Sequence, residues 1–481
     1  MSKKKKSKRK QKNYTKLDQH EFVKKKLIPP FMQIPNLKNT SWRDDRLPEM
    51  LWAALLLNGI ERNEALGILR NGINFLLRGE EEGLPQTITH SKLALSDITI
   101  LKGFISTICV SPIARQALRP LLLFENLPGF DYWREEINLS PTSKDWEVLF
   151  TTILNCTDHQ SQMSTDCRWL KVVFGVLTKK LNFPDRESIN EIIYYPDYGD
   201  MRKVRPSIRS SEIIIDIEGE VGEWPKSFWT DCLRQTDCIR IDKKKIEVSA
   251  STKLEIVDNV IKLFNEHCAS TIFNTDINAK HDSVFGFAFY GLNILRELLV
   301  LNSSRSIIGR IALRSLFECY ITLKYLVYKD NDETWNQYRN FGAGQNKLAF
   351  LKLDELENIP EFVDIEHLEF LANEDVWQEF LTINLGNWDN KNLRLISTEI
   401  DEKELYDMYY IITSGYVHGN WGAVRDAVFE TCFNPLHRFH RIAKREIVLN
   451  DVVPDAVIFV DKILEIVDQL YPDFKYRTLL K

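Results

Sequence analysis

At 481 residues, with 44% hydrophobic and 11% aromatic content, the chain is long enough for two or three domains and apolar enough to bury their cores, which excludes a wholly disordered protein. Its 63 Lys and Arg against 68 Asp and Glu leave a net charge of −5, but that charge is unevenly spread. Residues 1–26 carry 12 basic side chains against Asp18 and Glu21, a net of +10, so the remainder carries −15.

Residues 1–41 read as a basic disordered tail and linker, closed by Pro29 and Pro30, which resist helix. Such a tail attracts phosphate by releasing counterions, so nucleic acid, RNA before DNA, is the expected partner; a merely solvated tail is the alternative. No apolar stretch follows the basic start as a secretory signal requires. Residues 42–193 read as a helical domain. From Leu47, LPEMLWAALLLNGIERNEALGILRNGINFLLRG gives two amphipathic helices, with Pro48 in a first turn and Gly59 as punctuation. Helical patterns recur at 96–110, 145–154 and 169–180, with no fixed repeat.

Residues 194–250 read as an irregular linker. YYPDYGDMRKVRPSIRSSE has the texture of a basic loop, and the β-branched SEIIIDIEGE and CIRIDKKKIEVSA suit two short strands or, failing that, an unusual helix. Residues 251–481 read as a helical bundle. Ser251 or Thr252 caps its first helix, with Glu255 following; the apolar segment 285–302 comes next. Asn293, Arg296 and Glu297 interrupt that segment, which falls short of the roughly 20 uncharged residues of a membrane span. Ser303 or Ser304 then caps SRSIIGRIALRSLFECYITLKYLVYK, a helix starts near Asp401, and Pro454 opens the last one. The expected fold is mainly α: two helical domains with a small β element between them.

Eight cysteines without a compact framework point to reduced thiols in a cytoplasmic protein with no membrane association. Two groupings, Cys156/His159/Cys167 and Cys432/His437/His440, lack the paired two-residue spacings of a zinc site, so structural or incidental roles are expected and no metal or cofactor is inferred. FGAGQNK at 341–347 lacks the preceding strand of a phosphate-binding loop and reads as an ordinary loop.

Two patterns carry chemistry. Arg310, Arg314 and Glu318 recur at steps of four and form one helical stripe, which is either a surface ion pair worth ~0.3–0.5 kcal/mol or a polar contact across the bundle. Tyr406, Tyr410, Ser414 and His418 form a second column at the same spacing, while Met408, Ile411, Ile412 and Val417 fall elsewhere around the helix. Gly419 offers a break just after His418, placing the imidazole near a helix C-terminus. Ser414 lies in T-S-G-Y and not in a G-x-S-x-G elbow, which disfavours acyl-serine chemistry.

The motifs RSLFECYITLKYL, NWDNKNLR and YDMYYIITSGYVHGNW, within about 252–426, resemble an uncharacterised bacterial domain family found near phage-defence genes. The helical arrangement is also similar to HEPN domains, bundles that often cleave RNA without metal through an Arg, four to six residues, then His. Here the corresponding positions hold Ile411, Ile412 and Thr413, and Arg425 lies downstream, so Arg314 from another helix is the candidate cation. The resemblance implies a defence or toxin-type protein whose HEPN-like C-terminal bundle cleaves or binds RNA. His418 is then general acid or base, Arg314 stabilises phosphate charge, Glu318 orients its partners, and Tyr406, Tyr410 and Ser414 position substrate. The alternative is a non-catalytic sensor or scaffold of a defence complex, with a protein partner or a second copy of itself.

Overall fold

In the computed structural model, residues 16–33, 41–78, 83–215, 222–241, 251–274, 276–373 and 380–474 are described. The protein is mainly α, as expected, and its chain divides into two compact units. The first comprises Met1–Ile241 together with Thr431–His440; the second comprises Asp242–Glu430 and Arg441–Lys481.

The first unit opens with a hairpin of β1 (Glu21–Val23) and β2 (Lys26–Ile28), turned by Lys24 and Lys25 in the left-handed region. Residues 16–28 of the expected tail therefore have regular structure, whereas residues 1–15 lie outside the described ones. Next come α1 (Leu51–Gly59), α2 (Arg62–Leu77), α3 (His90–Leu93), α4 (Ile98–Ile108), α5 (Pro112–Leu118) and α6 (Phe130–Ile137). They are followed by α7 (Lys144–Thr157), α8 (Gln162–Leu177), α9 (Arg186–Ile193), α10 (Met201–Ile215) and α11 (Glu223–Gln235).

Residues 51–57 of α1 and 164–175 of α8 are buried without a break, so these two helices form the centre and the others wrap them. Gly59 lets α1 approach α5 closely, since a Cβ there would sit 2.6 Å from that of Ala117. Buried indoles find acceptors: Trp52 Nε1 donates to the Ile88 carbonyl at 3.2 Å and Trp169 Nε1 to that of Ile192 at 2.7 Å.

Helices α10 and α11 replace the irregular linker expected over 194–250. Val204, Ile208 and Glu212 of α10 are buried at successive steps of four against α8. Of the expected strands, 211–215 are the last turn of α10, and 216–221 and 242–250 lie outside the described residues. The β element of the region is thus not found among the described residues.

The second unit holds α12 (Ser251–Ser270), α13 (Ala279–Val300), α14 (Ile307–Lys329), α15 (Asp332–Asp354), α16 (Ile365–Ala372) and α17 (Leu393–Glu399). Then follow α18 (Lys403–Val417), α19 (Trp421–Val428), the paired strands β3 (Phe429–Thr431) and β4 (Arg441–Ala443), and α20 (Val453–Leu470). Helix α13 is the one described helix long and apolar enough to cross a membrane by length and composition, and half of that stretch is buried in the bundle against α12, α14, α15 and α20. FGAGQNK is helical, inside α15, and Gly344 there lets the Thr382 carbonyl approach to 3.0 Å from where a Cβ would be. The cap of α14 is Ser306, two residues beyond the expected pair, with its hydroxyl accepting from the Gly309 amide at 3.4 Å.

Candidate functional site

Helices α14 and α18 pack antiparallel. At one end the Tyr320 hydroxyl donates to Glu402 Oε1 at 2.6 Å; midway Arg314 meets Tyr410; at the other end Arg310 lies 5.9 Å from the Tyr416 ring centre. Phe317, at the inner edge, stacks on Tyr409 and closes the seam against Phe459 of α20. The two sequence columns are thereby placed face to face.

Arg314 is the hub. Its Nη2 lies 2.5 Å from Glu318 Oε1, and its guanidinium carbon sits 3.7 Å from the centre of the Tyr410 ring. That ring stacks in turn on Tyr406, with centroids 4.4 Å apart and planes 22° apart. A cation held this close to a desolvated aromatic face gains ~2 kcal/mol. Arg314 is only 7% exposed, and its Nη1 has no hydrogen-bond partner among the described residues. Burial pushes the Glu318 carboxyl above its usual range, against the opposing pull of Arg314 and of the His418 imidazole. His418 caps the C-terminus of α18, its backbone amide donating to the Ser414 carbonyl, with the break at Gly419 (φ +60°), and its ring is exposed.

Arg314, Glu318, Tyr406, Tyr410 and His418 thus share one seam. Ser414 lies on the same side of α18 and is half-buried, but among the described residues no side-chain hydrogen bond joins it to His418. The apolar residues of α18 turn out to face outward: Met408, Ile411, Ile412 and Val417 are all exposed, while the tyrosines pack on the core. Arg425, downstream of His418, donates to the Phe429 carbonyl at 2.7 Å.

NWDNKNLR serves α14 at its other end. The Tyr325 hydroxyl donates to Asp389 Oδ2 at 2.6 Å, and Lys391 bridges Tyr325 and Glu399 at 2.8 and 2.6 Å. Glu399 also accepts from Lys329, and Asn392 caps α17 through the Leu395 amide. These are anchoring contacts that fix the loop before α17 on α14.

The first unit has a separate polar centre. A cavity of about 550 Å³ is lined by Trp42, Arg43, Arg46, His159, Arg168 and Arg209, among others. Behind it the buried Glu212 meets Arg46 at 2.6 Å, Lys171 at 2.8 Å and Arg168 at 3.6 Å. Arg168 also lies over the Trp42 ring at 4.4 Å. Burial, with Arg46 and Arg209 nearby, brings the Arg168 guanidinium down to about 10, against the opposing pull of Glu212.

A family of unknown function, DUF5677, matches residues 291–433. The matched stretch contains all six residues of the sequence-derived site and all three motifs. No curated protein and no solved structure matches the chain. Among the described residues, one set of His, Cys, Asp or Glu lies within metal-binding distance, and it is outside the seam: Cys238, Cys432, His437 and His440. Cys432, His437 and His440 stand together in sequence, whereas Cys238 lies almost two hundred residues earlier.

Proposed function

We propose that the C-terminal unit binds RNA along the α14–α18 seam and cleaves it without a metal ion. The observation that carries this reading is the Arg314–Glu318 ion pair of α14 lying along the helix, α18, that ends at the exposed His418. In such a reaction a ribose 2′-hydroxyl attacks the adjacent phosphorus and the bond to the 5′-oxygen breaks, leaving a 2′,3′-cyclic phosphate and a 5′-hydroxyl. His418 takes the 2′-hydroxyl proton while water protonates the leaving 5′-oxygen, or His418 gives that proton while water takes the one from the 2′-hydroxyl. Arg314, rigid on Tyr410, lends its positive charge to the phosphorane from the floor of the seam. Glu318 holds Arg314 in place through their ion pair. Tyr406, Tyr410 and Ser414 offer a ring face and hydroxyls to a base and ribose. The HEPN likeness and the defence or toxin setting rest on the resemblance of the motifs.

Replacing His418 with Ala should slow cleavage of single-stranded RNA by ~10²–10⁴. Because the ring is exposed, the melting temperature should hardly move. Undiminished cleavage by the variant rules out His418 as the acid or base. The basic tail adds affinity: deleting residues 2–26 should weaken RNA binding and flatten its dependence on log salt, measured by fluorescence anisotropy.

A scaffold reading is favoured by one observation, that Arg314 is nearly buried with its charge already answered by Glu318 and Tyr410. Under it the seam specifies helix packing, Arg314→Ala lowers stability, and no RNA is turned over.

A further inference from the structure

The loop Thr431–His440 leaves the second unit's sequence and packs within the first, with Leu436 (1% exposed) in that unit's hydrophobic core. Its conformation is set by local contacts. Asn434 Oδ1 accepts from the Leu436 amide at 2.9 Å to start the short turn Pro435–His437, and Arg438 and Phe439 both adopt left-handed φ, near +53° and +54°, which brings His440 back. The Cys432 amide donates to the His440 carbonyl at 2.9 Å, closing the loop, and the Phe433 amide donates to the Ile239 carbonyl at 2.8 Å, fixing its register on residues 236–241.

Four soft or borderline donors converge there. Cys238 Sγ lies 3.5 Å from His437 Nδ1 and 3.3 Å from His440 Nε2, and Cys432 Sγ lies 3.4 Å from His437 Nδ1. All four donor atoms fall within 4.8 Å of one another. A tetrahedral zinc ion with bonds of ~2.3 Å to sulfur and ~2.0 Å to nitrogen requires sulfur–nitrogen edges of ~3.5 Å. The three observed edges match that figure.

The surroundings are those of a ligand set. His437 turns Nδ1 toward both sulfurs and is held by its other nitrogen, which donates to the Thr236 carbonyl at 3.1 Å and lies 2.9 Å from the Thr236 hydroxyl. That arrangement fixes the tautomer in which Nδ1 carries the free lone pair. The Asn434 amide N–H points at Cys432 Sγ from 3.4 Å, and its side chain ties to the Asp237 carbonyl at 2.8 Å, so the sulfur is held in position. Cys432 and His437 are buried, while Cys238 and His440 lie toward the surface, giving an ion a way in.

We propose that Cys238, Cys432, His437 and His440 bind one Zn²⁺ as a closed tetrahedral site that staples the Thr431–His440 loop onto residues 236–241. Two thiolates and two imidazoles with no carboxylate select zinc over calcium or magnesium, and four protein ligands leave no open position for catalysis. The role is structural, and independent of the RNA-directed seam.

The test uses the full chain purified under reducing conditions, reconstituted with zinc sulfate and desalted. Mass-spectrometric metal analysis should find one zinc per chain. Cys238→Ser and His440→Ala alter exposed or half-exposed ligands, so both should fold, checked by circular dichroism, and hold less than a tenth of that zinc. Cys109→Ser, a buried cysteine away from the set, should keep it. Cobalt substitution should give the intense visible bands of a tetrahedral thiolate site, lost in Cys238→Ser. A wild-type chain without zinc after reconstitution overturns the proposal. So does undiminished zinc in both ligand variants, or a Cys238–Cys432 disulfide in the reduced preparation.

Discussion

Glu212→Ala should lower the stability of the first unit by about 3–5 kcal/mol, the cost of removing one partner from a buried ionic centre. Glu212 has no solvent exposure, and its two oxygens are divided between Lys171 and Arg46, with Arg168 3.6 Å away. Burial alone would raise its carboxyl, but Lys171, Arg46 and Arg168 together hold it below the usual range. Without it, buried cations face one another across a small space. Hydrogen exchange of α8, the central helix, reads this directly: its opening free energy should fall by the stated amount. Glu223→Ala, on the surface, should change it by less than about 0.5 kcal/mol. A Glu212→Ala effect as small as that of Glu223→Ala would mean that the cations are satisfied without Glu212.

The second large effect is a pH dependence set by His90. Its ring is fully enclosed, edge-on to Trp133 and Trp224 at 5.6 and 6.0 Å, and neither nitrogen has a hydrogen-bond partner among the described residues. Burial brings its pKa from 6.5 down to about 3. The unfolded chain therefore takes up a proton at a pH where the folded one does not. The stability this gives is full above pH 6.5, and it is lost as the pH falls from there towards 3, at ~1.4 kcal/mol per unit. At pH 5 the loss is roughly 2 kcal/mol. Carboxylates add their own slopes, so the informative quantity is the difference from His90→Leu. The stability advantage of wild type over that variant, measured by urea unfolding, should shrink by roughly 2 kcal/mol between pH 7 and 5. An unchanged difference would show that His90 is not held neutral.

The helices that the sequence made legible are those whose apolar periodicity is unbroken, such as α2 and α20. Helix α10 was not legible, because its buried stripe runs Val204, Ile208, Glu212 and ends on a carboxylate, with Pro206 inside the helix. A pattern rule expects an apolar residue there; the cations that make Glu212 tolerable come from the segment before α1 and from α8. FGAGQNK misled for a related reason, since glycine marks a loop locally but here admits a carbonyl against a helix.

The candidate site was legible as two columns, because a spacing of four fixes which side chains line up on a helix. Which side of α18 faces inward was not. Met408, Ile411 and Ile412 are more hydrophobic than the tyrosines, yet the tyrosines face α14, where Phe317 stacks and Arg314 supplies a cation. The cysteine–histidine set was half legible. Cys432, His437 and His440 stood together, but their fourth member, Cys238, lies on a segment distant in sequence, and the packing of Leu436 into the first unit, with the hydrogen bonds of Phe433, Asn434 and His437 to residues 236–239, brings the two together.

The central claim, metal-independent RNA cleavage at the α14–α18 seam, is tested most directly by the ends of the products. Single-stranded RNA incubated with the full chain, without added divalent ions, should acquire 2′,3′-cyclic phosphate and 5′-hydroxyl ends, and His418→Ala should form them ~10²–10⁴ more slowly while melting at the wild-type temperature. Intact RNA with wild-type protein, or cyclic ends formed equally by the variant, would contradict it.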